Sequence, residues 1–436
     1  MTKARECLIA CACFAPAPAI VMSKSLRILY AAGPGNVLGT YRHWKEGRDD
    51  PSQIAMTYSG QFYDVCRELD ARAYVIATCP IPGHIVDGNF RIRHRPVPFE
   101  TRAGFFYHLG QFYYGFRLIL SALRIRADVA VVCSGTHWFF LWLMTVLGIK
   151  VVPTLHCVLW TKYKYRPTLF QRIVQVLNGW FFSGGCAAII SVSEEISQQV
   201  QELTEGRARP IHPFIPQYRR SSFAKIRPPE DSRAPFRVLF VGRIERSKGV
   251  FDLLEIAKRF AAQGRSDIEF DLCGEGSALR DLRNAVDAEG LHQNVHCHGH
   301  CDQQTMAEMY SRCHVVVVPT TTRFIEGFNK VVAEGVLAGR PVVTSSVCPA
   351  LSLVRNCVVE VPPDDVEAYA EAIARLRDDR HLYQAKQCAC AAAQEQFYDP
   401  ERGWAAALKG ILACLDERGI FNRAPAPSIV TGPRSS

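Results

Sequence analysis

The chain has 436 residues, 48% of them hydrophobic, with 51 Lys and Arg against 42 Asp and Glu. At roughly 100–200 residues per domain the length calls for two or three domains, and the ordinary composition excludes collagen-like, coiled-coil and wholly disordered chains. The net charge of +9 is uneven: residues 1–235 hold 28 basic against 16 acidic residues, and residues 236–436 hold 23 against 26. A basic first half and a slightly acidic second half imply different partners for the two.

Residues 1–21 begin with charge and continue through small residues, but Pro16 and Pro18 break the apolar stretch that a signal peptide needs. They read as a dispensable extension, with Met22 leading directly into a first strand. From there short apolar runs alternate with helical patterns. Arg27–Ala31, Ala73–Ala77, Val129–Cys133, Val151–Leu155 and Ala187–Val192 read as buried parallel strands. Phe90–Arg126 carries seven Arg and one acid, Glu100, interleaved with aromatic residues. It fits an interfacial surface facing anionic lipid, or a solvated face above an ordinary aromatic core. Trp138–Ile149 is the longest apolar run, too short to span a membrane, and reads as a buried helix.

Pro213–Phe236 is rich in Pro, Arg and Ser and breaks both periodicities, so 22–212 reads as a first domain and 213–236 as a linker. The strand–helix alternation resumes with Arg237–Val241, Phe270–Cys273, Val295–Cys297, His314–Pro319 and Pro341–Thr344, with helices expected over Val250–Ala262 and Gly276–Ala288. This gives a second domain over 237–395, then helices at 396–423 that cross back to the first domain, and a disordered tail at 424–436. The predicted class is α/β, two Rossmann-like domains whose parallel sheets face a central cleft.

The 17 cysteines include no C-x-x-C pair, and Cys133, Cys186, Cys273 and Cys357 read as small buried hydrophobes of a reducing compartment. The run His296-Cys297-His298-Gly299-His300-Cys301 is dense in metal ligands, but neighbours on a strand point to opposite faces, so no metal is expected. No nucleic-acid-binding motif occurs, so no nucleic-acid partner is expected.

Chemistry concentrates in the second half. Gly242-Arg243-Ile244-Glu245-Arg246-Ser247-Lys248-Gly249 follows a strand and precedes a helix. Two cations at a glycine-flanked turn clasp a diphosphate, aided by the helix N-terminus; an exposed basic turn would look the same. Further on, Glu326 and Glu334 lie eight residues apart, two turns along one expected helix. That spacing suits one carboxylate on a sugar and the other on a ribose, with the amides of Gly327, Phe328 and Asn329 on phosphate between them.

Together with Cys273-Gly274-Glu275-Gly276-Ser277 and His314–Pro319, these segments resemble retaining glycosyltransferases of the GT-B fold, family 4 (glycosyl transferases group 1), specifically over about 237–362 and more weakly over the first half. The resemblance implies that Arg243 and Lys248 hold the donor diphosphate and offset charge on the leaving group. It implies that Glu334 takes the ribose hydroxyls and that Glu326 touches the transferred sugar. Gly242, Glu275, Gly327, Phe328 and Asn329 complete the donor site. In the first half, Gly35 in Gly33-Pro34-Gly35-Asn36 matches a glycine loop beside donor and acceptor. His156 matches a histidine at the sugar, and Ser191-Val192-Ser193-Glu194 matches strand-end serines. Two features depart from the pattern: Asn329-Lys330, where a small residue or proline is usual, and the longer, polar stretch Gly39–Gln53.

The resemblance therefore implies an enzyme that moves a sugar from a nucleotide-diphosphate donor to a glycan or lipid-linked acceptor in polysaccharide synthesis, in the cytoplasm and peripheral to the membrane. No cofactor or metal is expected, since no D-x-D occurs. A sugar-nucleotide epimerase on the same fold and a non-catalytic nucleotide-binding protein remain alternatives.

Overall fold

The structure, a computed structural model, describes residues 25–97, 104–163, 166–227, 229 and 235–419. The expected extension at 1–21, the tail at 424–436, Phe99, Glu100 and Pro228 lie outside the described residues. The first half forms β1 (Arg27–Gly33), β2 (Arg72–Ala77), β3 (His84–Asp87), β4 (Phe90–His94), β5 (Val129–Val132), β6 (Lys150–Leu155), β7 (Ile189–Ser191) and β8 (Ile211–Pro213). They pair in the order β3-β4-β2-β1-β5-β6-β7-β8, parallel except between β3 and β4. Strands covered on both faces, such as β5, read as unbroken apolar runs.

The helices of this half are α1 (Val37–Lys45), α2 (Tyr58–Glu68), α3 (Phe105–Arg124), α4 (Trp142–Val146), α5 (Leu169–Trp180) and α6 (Glu194–Leu203). The chain moves one way across the sheet from β1 to β2, through α1 and α2. It moves the other way from β4 to β8, through α3 to α6. Right-handed crossovers therefore place the two sets on opposite faces.

A short helix, α7 (Arg220–Phe223), precedes the second sheet. That sheet contains β9 (Phe236–Val241), β10 (Ile268–Cys273), β11 (Val295–Gly299), β12 (Val315–Val318), β13 (Val342–Ser345) and β14 (Val358–Val361). All pairs are parallel, in the order β11-β10-β9-β12-β13-β14, the arrangement of a doubly wound nucleotide-binding sheet. Its helices are α8 (Val250–Ala262), α9 (Leu279–Ala288), α10 (Gln303–Arg312), α11 (Lys330–Leu337), α12 (Leu351–Val354), α13 (Val366–Asp378) and α14 (Arg380–Ala393).

The final helix, α15 (Trp404–Glu417), lies against the first half. Its buried Trp404 packs on Tyr30 and Phe62 and donates from Nε1 to Thr154 Oγ1 at 3.0 Å. The Ala405 amide donates to Gln61 Oε1 at 3.1 Å, and Lys409 meets Glu68 at 3.0 Å.

One expectation is overturned here. Trp138–Ile149 is not a buried helix: a 3-10 turn at Trp138–Leu141 leads into the short α4, and Trp142, Leu143, Val146 and Leu147 are exposed. Of the run, Leu141, Met144 and Ile149 are buried in the core.

Candidate active site

In doubly wound sheets, ligands bind beyond the carboxyl ends of strands where the strand order reverses. In the second sheet that point lies between β9 and β12, so the loops after these strands, 242–249 and 319–329, face each other. In the first sheet it lies between β1 and β5, which brings Gly33–Asn36 beside Ser134–His137.

The loop after β9 is held by backbone bonds: Gly242 N donates to Cys273 O at 3.0 Å and Ile244 N to Glu275 O at 2.9 Å. Glu275 therefore takes part through its carbonyl, while its side chain is exposed. Gly249 closes the turn at φ +74°, where any Cβ would also overlap the Pro319 carbonyl, and α8 starts directly after it. Lys248 is thus fixed at the crevice. Its ammonium lies 2.7 Å from Glu326 and 3.6 Å from the centre of the Phe324 ring. Arg243 lies 5.5 Å from the centre of the same ring, is mostly exposed, and pairs with Glu245 at 2.9 Å. Phe324, invisible to motif reasoning, is the surface that aligns both cations. Nothing in its sequence setting separates it from an ordinary hydrophobe.

Glu326 and Glu334 do not share a helix. Helix α11 begins at Lys330, because Asn329 sits at φ +67°, a left-handed conformation that Asn tolerates. Glu326 lies in the preceding loop, bound by Lys248 and by Asn329 Nδ2 at 3.2 Å. Glu334 is buried within α11 and accepts from Tyr310 Oη at 3.0 Å. Burial pushes its carboxyl up, while Tyr310 and Lys330 pull it back. Between the two glutamates, the amides of Gly327, Phe328 and Asn329 donate to no acceptor among the described residues. N–H groups left free ahead of a helix N-terminus are the kind of donor that can bind an anion. The Phe328 side chain itself is buried in the core.

Across the cleft, Gly327 rests on the backbone of His156: a Cβ there would overlap the His156 carbonyl oxygen. The His156 ring stacks on Tyr58 at 4.5 Å, and its Nε2 lies 3.3 Å from Thr154 Oγ1. Its Nδ1 is buried with no hydrogen-bond partner among the described residues, which leaves it available to a ligand or water. Burial, and then Lys330, push this imidazole down to about 3. Lys330 reaches over the Tyr58 ring and donates to Gln53 Oε1 at 3.0 Å, tying α11 to the polar loop after α1. That loop, with α2 and Arg219, borders a shallow open pocket. Tyr163 Oη and Ser346 Oγ, 2.5 Å apart, close the cleft elsewhere.

Gly35, at φ +140° with open space around it, and Asn36, which caps α1 by accepting from Gly39 N at 2.9 Å, line the first-half wall. The serines Ser191 and Ser193 act locally instead. Ser191 Oγ lies 2.7 Å from Ser197 Oγ, and Ser193 caps α6. In the histidine-rich run, His296 faces Glu269 at 3.3 Å and His298 faces Asp271 at 2.7 Å. No group of three or more metal-ligating side chains gathers among the described residues. The described cysteines are free thiols, with Cys133, Cys186, Cys273 and Cys357 buried.

Comparisons with known proteins agree with this architecture. The sequence profile of the family described as Glycosyl transferases group 1 matches residues 222–394, and that of Glycosyltransferase Family 4 matches residues 61–217. The chain is 28% identical over 279 residues to the alpha-D-kanosaminyltransferase of Streptomyces kanamyceticus, covering 59% of this chain and 70% of that one. It is 27% identical over 186 residues to a D-inositol 3-phosphate glycosyltransferase of Xylanimonas cellulosilytica, covering 42% and 43%. Among solved structures, trehalose 6-phosphate synthase of Burkholderia multivorans superposes with a TM-score of 0.67 at 14% identity, over 91% of this chain and 99% of that one. Anabaena HepE in complex with UDP superposes at 0.61 and 16% identity, over 90% and 100%. These structural likenesses speak for the fold. The family profiles, falling one on each half, carry the assignment: the chain belongs to the GT-B glycosyltransferases of family 4, group 1, and is a sugar-transferring enzyme.

Proposed function

We infer that the chain transfers a sugar, with retention and without a metal, from a nucleoside-diphosphate sugar to a glycan or lipid-linked acceptor held by the first half. The observation that carries this reading is the convergence of Lys248, Arg243 and the free amides of 327–329 on the crevice of the second sheet. In the reaction the bond from the anomeric carbon to the phosphate oxygen breaks, and both electrons leave with the diphosphate. An acceptor hydroxyl bonds to the same face of the carbon, and its proton passes to the departing phosphate oxygen. Charge grows on that oxygen, so preorganised cations and N–H donors there lower the barrier. Lys248, Arg243 and the dipoles of α8 and α11 supply what a metal would otherwise supply. Glu326 steadies Lys248 and offers its second oxygen to the sugar, Glu334 offers its own to the ribose, and neutral His156 bonds a sugar hydroxyl through Nδ1. Free cysteines and a basic first half agree with work at the cytoplasmic face of a membrane, in polysaccharide synthesis.

The test is a thermal-shift panel of UDP-, GDP- and ADP-sugars on the purified protein, since a ligand that binds only the folded state raises its melting temperature. One nucleotide series raises it, and Lys248→Ala abolishes the shift while leaving the unliganded midpoint near that of the parent. With the matching donor and an acceptor extract, Lys248→Ala lowers kcat by about 10²–10³, and a chelator leaves turnover intact. Absence of a shift with every donor overturns the reading; epimerised free donor in place of transfer selects the epimerase instead.

A further inference from the structure

The large apolar side chains left exposed among the described residues are not scattered. All but Ile81, Val86 and Ile325 lie between Phe105 and Trp180. On α3 they form one outward stripe, Phe106, Leu109, Tyr113, Phe116, Leu120 and Leu123, at alternating spacings of three and four residues. The sheet-facing side of the same helix buries Tyr114, Leu118 and Ile119 together with the small Gly110, Gly115 and Ala122. The helix is therefore apolar on both sides, and the outer one is a second surface to cover.

The stripe continues onto neighbouring helices. On α4, Val146 is 74% exposed beside Trp142, Leu143 and Leu147; on α5, Leu169 is 75% and Trp180 60% exposed, with Ile173 and Val176 between them. His108 of α3 lies 4.6 Å from Phe170 of α5, and Phe112 packs 5.4 Å from Phe140 in the turn that leads into α4, so the three helices adjoin on one side. Because they are crossovers running against the strands, the N-termini of α3 and α5 lie at the strand ends that open on the cleft. His108 touches His137 beyond β5 at 3.1 Å, which makes the face continuous with the cleft rim.

Charge identifies the occupant. Residues 105–180 contain eight Lys or Arg and one acid, Asp128, and Asp128 is taken by Arg27 at 2.9 Å. Arg124, Arg126 and Arg172 are exposed and have no acidic partner among the described residues. An apolar face with Trp and Tyr at its borders and cations without anions matches the interfacial zone of an anionic bilayer. A second copy of the same face would bring like charges together. No described helix is long and apolar enough to cross a membrane, so the face lies on the surface.

We propose that the outer face of α3, α4 and α5 docks flat on an anionic lipid bilayer and thereby holds the cleft rim at the headgroup level. A lipid-linked acceptor then reaches the site without leaving the membrane; that use rests on the transfer reading above, whereas the docking itself is measured without turnover. The experiment is co-sedimentation of the full chain with phosphatidylcholine vesicles, with and without about one-third phosphatidylglycerol. Anionic vesicles bring the protein down and neutral ones do so at least about tenfold less, with the difference shrinking as salt rises. Leu169→Ser with Ile173→Ser, and separately Arg124→Glu with Arg172→Glu, each reduce binding about tenfold or more. All four residues are exposed, so the folded state survives; an unchanged donor-induced thermal shift verifies this. Failure of the parent protein to bind anionic vesicles overturns the proposal. Equal binding to neutral vesicles overturns its electrostatic part, and a dimer dissolved by the same substitutions without vesicle binding shows a protein interface instead.

Discussion

The two halves share an architecture and invert its surfaces. On the second sheet, cations on and just after α8 make closed ion pairs: Arg259 meets Glu367 at 2.8 Å, Arg265 meets Asp378 at 2.8 Å, and Lys258 meets Glu289 at 2.8 Å. On the first sheet, the layer of α3, α4 and α5 is apolar, and Arg124, Arg126 and Arg172 on it have no acidic partner among the described residues. Inside the cleft the pattern reverses. The acidic half presents Lys248 and Arg243, and the basic half presents glycines and a neutral histidine. A doubly wound sheet therefore requires neither outer surface, and what each half displays there reports its partner. Net charge by halves, +12 and −3 from the sequence, follows the outer layers and says nothing of the cleft.

The contrast breaks most severely where the halves touch backbone to backbone. Gly327 sits on the His156 carbonyl and the Cys157 Cα, so an added methyl group has no side chain to push aside. Gly327→Ala forces the two walls apart, and a displacement near 1 Å at a reacting centre costs about 10²-fold. The expected outcome is a loss of kcat/KM of that order, with the vesicle binding of the first half unchanged. A variant with parental kinetics would mean that the cleft is looser than its contacts.

A smaller effect tests the neutral wall. The folded-state value of His156 is about 3, against about 6.5 in an unfolded chain. Between these values the unfolded chain binds a proton that the folded one refuses, so stability is lost as pH falls from about 6.5 towards 3. One such group contributes a slope of at most about 1.4 kcal/mol per pH unit, and less here because the ring is only partly shielded from water. His156→Gln should flatten the fall of the melting temperature over that window. Residual slope remains, because His137, beside His108, is pushed down to about 4. An unflattened profile would mean that His156 titrates normally.

The legible parts of the fold were those where burial leaves one interpretation. β12, four valines long, is covered on both faces and reads as a strand from sequence alone. β3 and β4, HIVD and FRIRH, alternate charge with small apolar content near the sheet edge and carry no such run. The loop at 242–249 was legible because glycines, cations and a strand end coincide; Phe324 and Tyr310 were not, since an aromatic beside a charge looks like one that fills a core. The Glu326–Glu334 spacing misled because Asn329 adopts a left-handed turn that periodicity does not register. The apolar stripe of α3 was visible as aromatic content, but not the side it faces. The structure sets it by turning Tyr114, Leu118 and Ile119 to the sheet and leaving Phe106, Tyr113, Phe116 and Leu120 outward.

The outer layer of the second half gives the last and smallest test, and its value is as a contrast. Arg259 on α8 is exposed and paired with Glu367 on α13. Exposed pairs contribute little, because water screens the charges and both side chains lose freedom when held together. Arg259→Ala should therefore move the melting temperature by no more than about 2 °C and leave donor shift and vesicle binding untouched. Arg172→Glu on α5 removes a cation of similar exposure and should weaken vesicle binding alone. If the two substitutions instead behave alike in the vesicle assay, binding follows total charge rather than a face. The apolar stripe would then need another occupant, and the inversion between the halves would lose its meaning.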